Sequence, residues 1–402
     1  MERATRSTQL PAVLWPLMFG NVVIGMGVMV VAGLLNEIRH AHDIAITTAG
    51  QLISYSAWLV SLGAPLLAMV VARWDRRLLL VGSMLWYAAF HALAALAPGF
   101  DSLLGARVLA MVSAAVFTPQ AAACIGQLVP EHLRGRGITF VFLGWSVASV
   151  LGTPLGAWIG GAFGWRWTMG LMALLSLVSA LWLHRRMPRG IVPPPLPVSA
   201  WRSALASPTL MLTLSITVVS AAGQFTLFAY MAPYVAQRFG MGAAALSAML
   251  LVYGVCGFAG NAVVSRWIDR IGPPRAMAWA LGGIALGLGL TFASTSFATL
   301  LLAIVPWGLG VFASNSSQQA RLVALAPVLA PASIALNTSA MYAGQALGTS
   351  GGGWLIEQVG MGPLPLFGCI GLLSALALSL WSQRWARRHP VRTVTQRPPQ
   401  TR

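Results

Sequence analysis

The feature that most constrains this chain is a series of apolar runs, each about 20 residues long and nearly free of charge, recurring along its whole length. A run of that length crosses the hydrocarbon layer as a helix, because every backbone polar group must find its partner within the segment. The runs place spans at 12–35, 48–70, 78–97, 102–124, 138–160 and 166–184, then at 207–230, 243–265, 276–295, 298–318, 333–355 and 363–383. Of the 402 residues, 57% are hydrophobic and 8% charged, whereas soluble domains carry about 25% charge. A soluble globular class is excluded. The expected fold is an all-α membrane protein with twelve transmembrane helices and no separate soluble domain.

The basic residues outnumber the acidic ones 25 to 8, and every one of the 25 is arginine. Without lysine there is no Walker phosphate-binding lysine, no Schiff base and no lysine general base, so ATP-driven transport by this chain alone is excluded. The three cysteines, Cys124, Cys256 and Cys369, are far apart in apolar runs and read as small hydrophobes, with no metal or cofactor expected. Glu2, Arg3 and Arg6 before the first span resemble the start of a signal peptide. The run that follows is too long and lacks a small-residue cleavage site, so it reads as a retained helix.

Assigning the loops alternately to two sides puts 21 arginines on one side and 4 on the other, the smaller set being Arg39, Arg107, Arg166 and Arg238. The rich side is expected to be cytoplasmic, with both termini on it. The excess base thus serves topology and not nucleic acid.

The chain divides near its midpoint at Pro188, Pro193, Pro194, Pro195 and Pro197, where a helix cannot continue. The expected organisation is an N-terminal six-helix bundle over 1–184, a cytoplasmic proline-rich linker over 185–206, a C-terminal six-helix bundle over 207–383 and a disordered basic tail over 384–402. The halves look like copies. Val70-Val71-Ala72-Arg73-Trp74-Asp75-Arg76 returns as Val263-Val264-Ser265-Arg266-Trp267-Ile268-Asp269-Arg270, displaced by 193 residues. A stripe of small residues at Gly144, Ala148, Gly152, Gly156 and Gly160 returns at Ala340, Gly344, Gly348 and Gly352, displaced by 192. Two unrelated markers with nearly one offset indicate a six-plus-six pseudo-repeat, an architecture that places a transported molecule between the halves. The stripes also permit close helix approach by themselves, and Pro154 beside Gly152 and Gly156 adds a gating reading, because it permits a bend.

These residues resemble the major facilitator superfamily, and within it the twelve-helix drug:proton antiporter branch, from Gly33-Leu34-Leu35-Asn36-Glu37-Ile38 to Gly344-Gln345-Ala346-Leu347-Gly348. Gly152-Thr153-Pro154-Leu155-Gly156 is similar to the branch's helix-five motif, Arg107 to its helix-four arginine, and Arg73 to Arg77 to its loop between helices two and three. Tyr230-Met231-Ala232-Pro233-Tyr234 looks like the family's helix-seven end. Within the branch the chain looks most like bacterial sugar, nucleoside and chloramphenicol effluxers. The resemblance implies a monomeric inner-membrane exporter of a small organic molecule, working by alternating access in exchange for protons. It departs from the pattern at Ala72, at Met111 where a glycine is usual, and at Val28, where relatives often carry a glutamate that is a proton carrier. Val28 therefore keeps open a facilitator or importer that uses no protons.

A proton-coupled carrier needs a titratable group in the membrane. None of the acids falls near the middle of a span; Glu37 ends the first, while Asp43, Asp101 and Glu357 are loop or interfacial residues. His91 lies well inside a span, with an ordinary pKa of about 6.5 that suits a proton carrier. Arg107 must face a cavity or a partner. The coupling candidates are His91, Arg107 and Glu37. Polar and aromatic groups within spans are the cavity candidates: Asn21, Tyr55, Gln120, Gln224, Tyr230, Tyr253, Asn315, Asn337, Tyr342 and Gln345. Each serves equally well as an interhelical hydrogen bond. Arg73, Asp75, Arg76 and Arg77 with Arg266, Asp269 and Arg270 read either as topology and surface pairing or as a latch between the halves. One rival remains: Gly348-Thr349-Ser350-Gly351-Gly352 matches a serine-hydrolase elbow, but in an apolar span where no strand-to-helix turn is expected.

Overall fold

The computed structural model describes residues 10–130, 133–193 and 196–388. Glu2, Arg3, Arg6, Glu131, Pro194, Pro195 and the tail from 389 onward lie outside the described residues. Among the described residues all regular structure is helical. The first span is a bent pair, α1 (Leu14–Met29) and α2 (Val31–His42), meeting at 45°. Then follow α3 (Ile46–Val70), α4 (Arg76–Ala95) and α5 (Phe100–Leu128). The fifth span is α6 (Arg134–Val147), a π-helical turn over Ala148–Gly152, and α7 (Thr153–Phe163). The half closes with α8 (Trp165–Arg186).

Within the stretch expected as linker, Val198–Leu205 forms a short helix, α9. The seventh span is α10 (Pro208–Phe228) with a broken end, α11 (Met231–Phe239). The remaining spans are α12 (Ala243–Ile271), α13 (Pro273–Ala293), α14 (Phe297–Leu325), α15 (Ala330–Val359) and α16 (Leu364–Arg388). Among the described residues ten spans, the fifth with its π-helical turn included, and the bent pair as an eleventh, are long and apolar enough to cross a membrane. The twelfth is α15, 30 residues long and built from Gly, Ala, Ser and Thr where the others use Leu. The last helix runs to Arg388, past the expected start of the tail at 384.

The packing repeats as the sequence does. In the first half α1 lies on the fifth and sixth spans, α3 on α5, and α4 on α5 and α8. In the second, α10 lies on α15 and α16, α12 on α14, and α13 on α14 and α16. The small-residue stripes make these approaches possible. A Cβ added at Gly144 would lie 2.9 Å from the Val22 nitrogen, and one at Gly348 would lie 2.9 Å from the Ala222 backbone. At neither position can a side chain be fitted against backbone that cannot step aside.

Two seams join the halves, α3 against α15 and the broken fifth span against α12. They are equivalent under the repeat: spans two and eleven, five and eight. At the second seam Gly254 meets the π-helical turn, where an added Cβ would be 2.7 Å from both the Ser149 oxygen and the Val150 Cα. Pro154 explains the wide turn, since its ring has no N–H and clashes with the turn behind it. The wide turn therefore sits at the seam, beside the proline.

Candidate functional site

The site is built where α1 breaks. At Val30 the ladder shortens: the Val30 N–H bonds the Met26 oxygen, but Gly33 N–H reaches only three residues back, to the Val30 oxygen at 2.9 Å. Two side chains reach the carbonyls just before the break. The Tyr87 hydroxyl of α4 donates to the Ile24 oxygen at 3.4 Å, and the Arg107 Nη2 of α5 donates to the Val28 oxygen at 3.4 Å. Gly27 makes room for that phenol, since a Cβ there would lie 2.9 Å from the Tyr87 Cζ. The Arg107 bond is long, so the Val28 carbonyl offsets little of the arginine's desolvation.

Arg107 is 2% exposed, about two turns into a 29-residue span. Its Nε and Nη1 have no hydrogen-bond partner. The ionisable side chains beside it are Tyr87 and Tyr342, both neutral phenols and neither a carboxylate. A cation so placed costs about 2.5–3.5 kcal/mol even by the mildest scale. It borders a cavity of about 10 Å³, lined by Val28, Ile53, Ser56, Ala57, Met111, Tyr342 and Gln345 besides itself. The Ser56 hydroxyl is buried there without a partner. Tyr342 and Gln345 belong to α15, so the two halves share the wall.

His91 is one turn along α4 from Tyr87, buried, with its ring 4.2 Å from the Tyr87 ring. Its Nδ1 is 2.9 Å from the Tyr87 carbonyl oxygen. A carbonyl only accepts, so Nδ1 carries the proton and Nε2, which has no partner, keeps its lone pair. Glu37 lies away from this cluster, on α2 near the opposite seam, with Oε2 buried and unpartnered.

The other cavity candidates divide. Tyr342 and Gln345 line the cavity at Arg107. Tyr55 does not: it is 49% exposed, on the side of α3 opposite Ile53 and Ala57. Asn21 is an interhelical hub, accepting from the Thr118 hydroxyl at 2.7 Å and donating to the Val141 oxygen at 3.1 Å. Asn337 repeats the hub in the second half, accepting from Thr217 at 2.7 Å and donating to Asn315 Oδ1 at 3.2 Å. These asparagines are committed to holding helices together and do not line the cavity. Gln224 bonds its own helix at the Ser220 oxygen, Tyr253 stacks between Phe228 and Trp307, and Gln120 is buried outside the cavity wall. Tyr230 closes the arginine-poor end. Its hydroxyl donates to the Thr349 oxygen at 2.9 Å, and a Cβ on Gly50 of the other half would lie 3.0 Å from its Cζ.

Of the two readings of these loops, surface pairing within a half or a latch between the halves, the described contacts fit the first. Asp75 caps α4 by accepting from the Arg77 and Leu78 N–H groups at 2.9 and 3.2 Å, and it accepts from Gly190 in the chain after α8. Arg77 reaches the His184 oxygen, and Arg76 folds back on the oxygens of Val71, Ala72 and Trp74. All of these partners belong to the same half. Arg270 lies over the Trp267 ring, 5.4 Å from its centre. Among the described residues no hydrogen bond joins the Arg73 loop to the Arg266 loop. Ser350 lies inside α15, on a continuous helix and not on an elbow.

Sequence reasoning missed Ser56, Ile53, Ala57 and Tyr87, which have no motif, and Arg321, which it placed in a loop. Arg321 is buried and donates to the Ser379 and Ser382 hydroxyls at 3.1 and 2.6 Å. Those two serines, three apart near the end of an apolar span, were the available signal.

Comparison with known proteins agrees with this geometry. The Major Facilitator Superfamily model matches residues 17–263 and 213–401. The chain is 28% identical over 353 residues to the inner membrane transport protein YdhP of Escherichia coli, covering 88% of this chain and 91% of that one. It is 33% identical over 267 residues to a chloramphenicol resistance protein of Streptomyces lividans, covering 65% and 68%. A probable sugar efflux transporter of Mannheimia succiniciproducens is 26% identical over 374 residues, covering 92% and 93%. In fold, the chain is similar to a crystal structure of a bacterial homologue of the human lysosomal transporter Spinster, inward-facing and unoccupied. The TM-score is 0.77 at 17% identity, covering 96% of this chain and 98% of that one. The chain is a multi-pass membrane transporter that belongs to the Major Facilitator Superfamily.

Proposed function

We propose that this protein exports a small organic molecule of sugar, nucleoside or drug type across the bacterial inner membrane. It works as a monomer by alternating access, in exchange for protons, with both termini cytoplasmic. The observation that carries this reading is the cavity at Arg107, because its wall is shared by α1, α3 and α5 of one half and α15 of the other. A group bound there is touched by both halves and changes sides when they rock about the seams. The relatives named for sugar efflux and chloramphenicol resistance support the outward direction. His91, with a partnerless Nε2, and Glu37, with a buried unpartnered oxygen, are the groups that would carry protons.

A second reading, a facilitator without protons, is favoured by Val28, since no carboxylate lines the cavity. Inside-out membrane vesicles with an imposed proton gradient and a pH-sensitive dye separate the two. Sugars, nucleosides, chloramphenicol-like amides and lipophilic cations are added in turn. Collapse of the gradient on adding one class, lost in His91→Ala or Glu37→Gln, supports exchange for protons. A labelled compound that equilibrates while the gradient stays fixed overturns the exchange and leaves the facilitator.

A further inference from the structure

We infer that the transported molecule carries a carboxylate, and that this carboxylate is the counter-ion of Arg107. The inference rests on the transport reading above and names the substrate class at the same site. Three observations lead to it. Arg107 is almost completely buried, and its Nε and Nη1 hydrogens point at no acceptor. The other polar groups on the cavity wall are neutral and able to donate as well as accept: the Ser56 hydroxyl has no partner, and the Tyr342 phenol and the Gln345 amide stand on the opposite wall. No fixed negative charge is among the residues that line the cavity.

An uncompensated guanidinium among neutral groups that are able to donate matches an anion. A charge-assisted hydrogen bond to a carboxylate is roughly twice as strong as one to a neutral oxygen, and the carboxylate's remaining lone pairs suit the hydroxyl and amide donors. A lipophilic cation would meet the arginine's own charge. The same chemistry suits chloride held as a permanent ion. The shared wall decides for the transported molecule, since a group touched by α3 and α5 on one side and α15 on the other is released when that seam parts. The cavity holds about 10 Å³, so the seam must open for the carboxylate to enter.

The charge has a direct consequence. Each outward step carries a negative charge away from a negative interior, so the membrane potential favours export by roughly fifty-fold per 100 mV for the substrate's charge alone, and an exchanged proton adds its own charge to that. The neutral partner of each pair shows how much of the response belongs to the proton.

The test uses inside-out vesicles at equal pH on both sides, with a lumen-positive potassium diffusion potential. Two matched pairs of labelled compounds are compared: glucose with glucuronate, and chloramphenicol with chloramphenicol succinate. The carboxylated member of at least one pair is expected to enter at least about ten-fold faster than its neutral partner, and faster still with the potential. Arg107→Gln brings that ratio to about one. Val28→Glu keeps the arginine but supplies an internal counter-ion from the cavity wall, and it too abolishes the preference. Heat unfolding of the purified variants shows whether they are folded, and glucuronate raises the unfolding temperature of the unsubstituted protein alone. Equal entry of neutral and charged partners, or a ratio unchanged in both variants, overturns the inference and leaves the transporter standing. Stabilisation by chloride equal to that by glucuronate, with no carboxylate preference in transport, overturns it in favour of a structural ion. If none of the four compounds enters faster than in vesicles without the protein, the export reading fails and this inference falls with it.

Discussion

Ser61 of α3 donates its hydroxyl to the Ser339 carbonyl of α15 at 2.9 Å, the one side-chain hydrogen bond that crosses between the halves among the described residues. It lies on the arginine-rich side of the Arg107 cavity, one turn beyond Ala57. Membrane hydrogen bonds of this kind contribute about 0.6 kcal/mol on average, enough to shift a balanced opening about three-fold. Ser61→Ala is therefore expected to leave folding intact and favour opening of the seam toward the arginine-rich side. The check is a cysteine placed at Ala57 in a variant lacking Cys124, Cys256 and Cys369. Its labelling by an impermeant maleimide in inside-out vesicles should rise two- to four-fold; an unchanged rate would show that the bond does not hold the seam.

The arginine-poor end is closed by Tyr230 over Gly50. A side chain at position 50 would meet the phenol of the other half, and that ring is fixed by its bond to Thr349. Gly50→Val should block closure at this end and lower transport at least about ten-fold, since overpacking costs about 1–3 kcal/mol and falls on one state only. Tyr230→Ala removes the obstacle and should restore much of the rate to the Gly50→Val background. A double variant as inactive as Gly50→Val alone would refute this account of the closed end.

The twelve helices and the repeat were legible because both rest on local chemistry: hydrophobic length, the arginine distribution, and small residues at every fourth position. Arg107 was legible because a lone charge in an apolar run has few explanations. Tyr342 and Gln345 were legible as polar groups in an apolar span; the apolar wall was not. Val28, Ile53 and Ala57 line the cavity through the register of their helices, which apolar runs do not encode, and the same register turns Tyr55 away from it. The two asparagine hubs were ambiguous for a related reason. An amide in a span signals a partner without saying whether that partner is a helix or a ligand.

The hubs make their own prediction. Thr118 with Asn21, and Thr217 with Asn337, hold equivalent sets of helices in the two halves, one, four and five against seven, ten and eleven. Asn21→Leu should lower the stability of the purified protein by about 1–2 kcal/mol, because it loses two bonds. A double-mutant cycle with Thr118→Val should recover a coupling of about 0.5–1.5 kcal/mol. Substrate preference should not move, since Asn21 does not face the cavity. A changed preference with unchanged stability would return Asn21 to the cavity wall.

Asp75 makes the last case, because its geometry assigns it a structural role within one half. Its carboxylate closes the first turn of α4 and ties down the chain after α8 through Gly190. Asp75→Ala removes both and should cost about 0.5–2 kcal/mol, the range for losing a helix N-cap. It should also speed proteolysis in the connection between the halves. Asp75→Asn keeps an accepting oxygen and should retain most of the stability. If the residue instead served chiefly as half of a latch to Arg266 or Arg270, then Asp75→Asn would impair transport as severely as Asp75→Ala, and proteolysis of the connection would be unaffected by either.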